Sequence, residues 1–271
     1  MQIDQLEEFT EEELERAAGQ AISDRLDSGI TVHERPQAFL IVGQPGAGKT
    51  TLASIFTNQM EQDIVFVSGD DYRGYHPRHD ELHASYGDDA VLHTQRFAGK
   101  MTETIIDRLS SKGYNLIIEG TLRTREVPEK TCRMLKERGY EVTLAALLVR
   151  PEVSYLSTLK RYELMKRFGN SSPRMTPKEH HDKVVASLAG NMHAVYKDKV
   201  FDNIQIYNRN EDLLYDAGKM PRRDPGDIIE KEFSRSLPAR EKQEILKSFR
   251  GFVEEKRIRN ALTEYARGVS R

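Results

Sequence analysis

Hydrophobic and polar positions change period many times along this chain, and each change predicts an element. Leu14, Ala17, Ala18, Ala21 and Ile22 recur at helical spacing, so a helix runs to about Leu26. Thr10 with Glu13 three residues on reads as its capping box, and Gly29 ends it. Ala38 to Val42 is a short unbroken apolar run, the mark of a buried strand. Similar runs follow at Ile64 to Ser68, Tyr114 to Ile118 and Val142 to Val149. Helical spacing fills the gaps: Thr50 to about Met60, Asp88 to Ser110, Pro128 to Arg138, and Pro151 to about Arg167. Thr176, Pro177 and Glu179 repeat a start signal of cap, first-turn proline and capping-box glutamate, for a helix reaching about Lys197. Ile204 to Tyr207 and Leu213 to Tyr215 read as a last strand and its hairpin partner. Beyond Asp224-Pro225-Gly226 come two charged helical segments, Ile228 to Phe233 and Ala239 to Arg267.

Strands alternating with helices predict an α/β fold whose mostly parallel sheet is flanked by helices on both faces. We expect a core over residues 1–220 that includes the N-terminal helix, and a helical extension over 221–271. The stretch GNSSPRMTP (169–177) interrupts two helices with small residues and two prolines, which predicts a lid near 168–177. Composition adds exclusions. Hydrophobic residues at 38% and charged residues at 31% are ordinary for a soluble chain, and a net charge of -2 gives no general pull toward nucleic acid. No apolar run reaches the roughly 20 residues of a membrane span. The acidic start MQIDQLEEFTEEELE lacks a signal-peptide core, and Cys132 is the one cysteine, so no internal disulfide forms. The expectation is a cytoplasmic protein without membrane or nucleic-acid partners.

Chemistry enters between the first strand and the following helix. Gly43, Gln44, Pro45, Gly46, Ala47, Gly48, Lys49 and Thr50 match the G-x-x-x-x-G-K-[ST] phosphate loop, with Thr51 adjoining. Glycines let backbone N–H groups turn toward phosphate oxygens, and the helix N-terminus adds partial positive charge. Lys49 reaches the β- and γ-phosphates, and the Thr50 hydroxyl is the candidate Mg²⁺ ligand. ATP and Mg²⁺ are the expected cofactors. The pattern by itself leaves the phosphoryl acceptor open: water, a small molecule, a nucleotide, or none.

Ligands of open α/β sheets lie beyond the carboxyl ends of the strands. Asp70 and Asp71 follow the second strand there, and Glu119 the third, with Thr121 and Arg123 just past it. Asp70 is the candidate base for an attacking hydroxyl, while Asp71 suits the cap of a short helix or turn beginning at Tyr72. Glu119 suits Mg²⁺ through water or a substrate hydroxyl. Arg161, on the helix after the fourth strand, and Arg174, in the expected lid, are candidates for charge on the moving phosphoryl group. His180 and His181 read as packing or surface residues. His76, His79 and His83 lack the further ligand that zinc would need.

These motifs together resemble the zeta toxin family, the toxin half of bacterial epsilon–zeta toxin–antitoxin pairs. GQPGAGKT (43–50), DDYRGYHP (70–77), FAGKMTE (97–103), GYNLIIEGTLRT (113–124), the LKRYE segment within 139–163 and RMTPKEHHD (174–182) carry the resemblance. It implies a P-loop nucleotide-kinase-like fold with extra C-terminal helices. It implies transfer of the ATP γ-phosphate to the 3′-hydroxyl of the N-acetylglucosamine unit of UDP-N-acetylglucosamine, which blocks peptidoglycan synthesis. By the same resemblance Asp70 is the base, Lys49 and Thr50 serve the phosphate loop, and Arg161 and Arg174 serve the transition state. Glu103, Glu119, Thr121 and Arg123 then meet the sugar nucleotide, and a small helical antitoxin obstructs the nucleotide site. Ser68 departs from the pattern, since some members carry a carboxylate two residues before the base. Two other readings stay open: a kinase of this build for another small hydroxyl acceptor, and a P-loop switch without transfer chemistry. The absence of an N-K-x-D segment speaks against a GTP switch.

Overall fold

Six strands make one sheet: β1 (Gln37–Val42), β2 (Val65–Val67), β3 (Leu116–Glu119), β4 (Glu141–Leu147), β5 (Asn203–Tyr207) and β6 (Leu213–Asp216). They lie in the order β2-β3-β1-β4-β5-β6, with the first five parallel and β6 antiparallel to β5. The computed structural model describes residues 6–26, 29–169, 173 and 175–266. Leu40 of β1 stands opposite Ile118 of β3 and Leu144 of β4. Ala38, Leu40 and Val42 point into one core and Phe39 and Ile41 into the other, which is why the run is apolar at every position.

The helices are α1 (Glu11–Ser23), α2 (Lys49–Gln59), α3 (His79–Tyr86), α4 (Ala90–His93), α5 (Gln95–Ser110), α6 (Glu126–Glu137), α7 (Pro151–Arg167), α8 (Lys178–Asp198), α9 (Pro225–Ser234), α10 (Ala239–Phe249) and α11 (Glu255–Tyr265). One face of the sheet is covered through Ala18, Phe97, Met101, Ile105, Leu135 and Leu188. The other is covered by α2, whose Phe56 ring stacks on Phe39 at 4.2 Å. The capping box of α1 is formed: the Thr10 hydroxyl accepts from the Glu13 N–H at 3.1 Å, and the Glu13 carboxylate from the Thr10 N–H at 2.8 Å. Among the described residues no helix is long and apolar enough to cross a membrane.

Four expected elements differ. The segment from Asp88 to Ser110 is not one helix. It divides into a 3-10 turn, α4 and α5, with Thr94 between the last two. The Arg73 guanidinium takes the Val91 carbonyl at 2.7 Å and the Thr94 hydroxyl at 3.1 Å. A continuous helix would hold that carbonyl for its own ladder. At α8, Pro177 itself is the cap residue and no side chain caps the helix. The Thr176 hydroxyl accepts from Arg161 instead, at 3.1 Å. The C-terminal segment breaks into α10 and α11 around Gly251, whose φ of 89° no helix accommodates. The short helix or turn expected from Tyr72 is a 3-10 helix that begins earlier, over Gly69–Tyr75, and α3 follows it.

The C-terminal helices lie on the core. Leu156 and Leu159 of α7 pack with Leu246, Phe249, Ile258, Leu262 and Tyr265. The buried Arg150 guanidinium binds the Glu152 carboxylate at 2.7 Å and the carbonyls of Glu232 and Arg235 at 3.0 and 3.1 Å, which fixes α9 to the start of α7.

Candidate active site

The loop after β1 is shaped by glycines that nothing else replaces. Gly46 has φ 76°, and a Cβ there would stand 2.1 Å from the Ser154 carbonyl oxygen of α7. Gly48 is the cap residue of α2 at φ 106° and offers no side-chain acceptor. The first amides of α2 are therefore left for an anion. Gln44 is fully buried and donates to the Val149 carbonyl at 2.5 Å. Lys49 is only 9% exposed, and its ammonium donates to the Gly43 carbonyl at 3.2 Å. Thr50 and Thr51 are exposed.

Strands β2, β3 and β1 are neighbours, so their carboxyl ends form one rim. Glu119, at the end of β3, bridges its two neighbours. One carboxylate oxygen lies 3.4 Å from the Lys49 ammonium, and the other accepts from the buried Ser68 hydroxyl at 2.9 Å. Ser68 thus serves as a neutral donor beside Glu119, where a carboxylate would add like charge.

Asp70 stands in the 3-10 helix past β2, half exposed, with its carboxylate 3.0 Å from Arg73 Nε. Asp71 does not cap this helix: Ser68 is the cap residue, and no side chain caps it. The Asp71 carboxylate turns away to Arg25 at 3.2 Å. The buried Tyr72 hydroxyl is pushed up to about 12 by desolvation.

A cavity of about 440 Å³ lies over the rim. Lys49, Asp70, Arg73, Glu119, Thr121 and Arg161 line it beside Ser68, so two carboxylates and three cations from different strands and helices meet there. Glu103 does not line it. Its carboxylate pairs with Lys100 at 3.0 Å while the preceding Thr102 faces in. Arg123 is exposed outside the lining, on a loop held by Asn191 through the Leu122 and Arg123 carbonyls at 2.9 and 2.8 Å. Arg174 and residues 170–172 of the expected lid lie outside the described residues; Met175, Thr176 and Pro177 close that side of the cavity.

Three contributors escaped the sequence reading. Arg73 carries the Asp70 contact. His180 lines the cavity, and its pKa is lowered by burial and by Arg123 and Lys49, against the pull of Asp70. Arg209, in the turn between β5 and β6, donates to the Gly46 and Ala47 carbonyls and to the Ser157 hydroxyl. That grip holds the carbonyls of two loop residues from outside the loop. No local motif announces it, because the arginine arrives from the far end of the sheet. Beside it a second cleft of about 290 Å³, on the other flank of the loop, has an apolar floor of Leu52, Ile55 and Leu147.

The chain is similar to known proteins over most of its length. A family model described as zeta toxin matches residues 22–220. Toxin PezT of Streptococcus pneumoniae serotype 4 is 43% identical over 213 residues, covering 79% of this chain and 84% of that protein. Toxin zeta of Streptococcus pyogenes is 37% identical over 252 residues, covering 93% and 86%. A solved structure from the PezAT chromosomal toxin–antitoxin system of the human pathogen Streptococcus pneumoniae matches with a TM-score of 0.80 at 37% identity, over 95% of this chain and 99% of that one.

Proposed function

The chain belongs to the zeta toxin family of ATP-dependent kinases, and on that premise we propose that it moves the γ-phosphoryl group of ATP to the 3′-hydroxyl of the N-acetylglucosamine unit of UDP-N-acetylglucosamine. Phosphotransfer to a sugar of this kind is the family's activity. The observation that carries the reading is the facing of Lys49 and Asp70 across one cavity, from neighbouring strand ends. A phosphate grip on one side and a carboxylate on the other are what a hydroxyl acceptor requires.

In this reading the triphosphate lies along the loop amides, with the base of ATP over Leu52, Ile55 and Leu147. The acceptor sugar enters the larger cavity toward Thr121 and Glu119, with Glu103 and Arg123 at its outer edge. Asp70 takes the proton of the 3′-hydroxyl while that oxygen bonds to the γ-phosphorus. The bond to the β–γ bridging oxygen breaks, and its electron pair leaves with ADP. Lys49 and Arg161 place cations against the charge that spreads over the moving group, and Arg174 is assigned the same task. The exposed Thr50 hydroxyl and the Glu119 carboxylate are the groups that would hold Mg²⁺, and the ion would neutralise phosphate charge when bound. Phosphorylated in this way, the sugar nucleotide is withdrawn from peptidoglycan synthesis. The toxin–antitoxin setting of the relatives supports a protein antitoxin. A small helical one lying over the nucleotide site would silence every step at once.

The test is direct. Protein, Mg²⁺ and ATP are mixed with UDP-N-acetylglucosamine, UDP-glucose, free N-acetylglucosamine and nucleosides, and products are read by mass spectrometry. Gain of one phosphate on UDP-N-acetylglucosamine, lost in Asp70→Asn, is the expected result. Product only with another acceptor would overturn the substrate assignment and keep the kinase.

A further inference from the structure

Asp70 does not stand on a strand, where backbone pairing would hold it. It stands in a short 3-10 helix, half exposed, and a carboxylate there has several rotamers open to it. A base must nevertheless sit within hydrogen-bond reach of one hydroxyl. One group that holds it is visible one turn on. Arg73 is largely buried, at 17% exposure, and spends its planar fork on two different elements. Its Nε binds Asp70 Oδ1 at 3.0 Å. One terminal nitrogen binds the Val91 carbonyl at 2.7 Å and the Thr94 hydroxyl at 3.1 Å. Thr94 is 2% exposed, and its own proton goes to the Ala90 carbonyl at 3.1 Å, so its oxygen is oriented to accept from Arg73.

The second anchor is what gives the contact meaning. Thr94 is where α4 and α5 separate, and Val91, Gln95, Ala98, Gly99 and Thr102 from these helices form one wall of the cavity. One guanidinium therefore fixes the distance between the carboxylate and that wall. We propose that Arg73 is a positioning residue: it holds Asp70 in register with the acceptor wall built by α4 and α5, and the break at Thr94 exists to receive it. A lysine cannot do this, since an ammonium lacks the rigid fork that reaches both partners in one plane. The inference rests on the reading of Asp70 as base.

The experiment is a double-substitution cycle on the full chain, measuring ADP release with UDP-N-acetylglucosamine at saturating ATP, with ATP affinity and melting temperature measured beside it. Arg73→Gln is expected to lower kcat by about tenfold to a hundredfold, the scale of an ångström's misplacement, while ATP affinity stays within about twofold. Arg73→Lys is expected to remain nearly as slow. In an Asp70→Asn background the same Arg73→Gln change is expected to cost nothing further, because Arg73 acts only through that carboxylate. Thr94→Val keeps the cation and the packing but removes one anchor, and is expected to lower kcat severalfold. It carries the test if Arg73→Gln does not fold. Equal losses in kcat and ATP affinity, or a full further loss in the Asp70→Asn background, would overturn the proposal. So would wild-type kcat in Arg73→Gln, or in Thr94→Val. Wild-type turnover in Asp70→Asn alone is a different failure, since it removes the base itself.

Discussion

Lys49 has two tasks that a second substitution at Glu119 separates. It supplies a cation for the triphosphate, and at 3.4 Å it compensates Glu119, a carboxylate otherwise held by Ser68. Lys49→Ala should abolish measurable turnover and weaken ATP binding by at least about tenfold. Lys49→Ala with Glu119→Gln should recover thermal stability relative to Lys49→Ala, because the uncompensated charge is gone, yet remain inactive. Paired melting and ATP-titration measurements check both halves. Gly46→Ala is the steric counterpart. Its Cβ would meet backbone first, the Ser154 carbonyl, which cannot turn aside, so the loop must deform and ATP affinity should fall steeply. At this scale the loop and Asp70 were legible because their residue types and spacing carry chemistry. Arg73, His180 and Arg209 were not. Each acts across a tertiary contact: Arg73 to a helix break, His180 from a helix start, Arg209 from a turn 162 residues beyond Ala47.

At the level of elements, period and punctuation predicted the five parallel strands and most helices, since apolar runs and caps are local signals. Misreadings fall where a partner outside the segment competes for the backbone. Arg73 takes the Val91 carbonyl, and the helix divides at Thr94. Arg161 takes the Thr176 hydroxyl, and α8 starts without its capping box. Gly251 was visible as a residue, but the need for positive φ there comes from α11 turning back onto α7. Phe249, 5% exposed at the end of α10, closes that contact. Phe249→Ala should destabilise the protein by about 3 to 5 kcal/mol, read by chemical or thermal unfolding. A loss under about 1 kcal/mol would mean that α10 and α11 add little to the stability of the fold.

Across the whole molecule, one polar chain, buried at its centre, links the loop's neighbour to α11. Ser154, whose carbonyl excludes a side chain at Gly46, joins through its hydroxyl to His181 at 2.9 Å. His181 is fully buried between Asp182 and the Tyr265 hydroxyl, at 3.0 and 3.2 Å, and Lys178 ties Asp182 to Glu264. Desolvation lowers the His181 pKa against the opposing pull of Asp182. His76 and His180 are lowered in the same direction by burial. A histidine kept neutral in the fold binds its proton more readily when unfolded. Such groups therefore leave stability intact above the unfolded value near 6.5 and remove it as pH falls from there toward the folded value, by up to about 1.4 kcal/mol per pH unit for each proton. His193 works the other way. Its hydrogen bond to Asp224 raises its pKa, so its contribution is complete below about 6.5 and is lost as pH rises through its folded value. Three lowered histidines against one raised predict a melting temperature that falls between pH 7 and 5. His181→Gln should start lower, having lost part of the network, and decline less over the same range. A decline as steep as that of the parent would place the acid sensitivity outside the link between α7, α8 and α11.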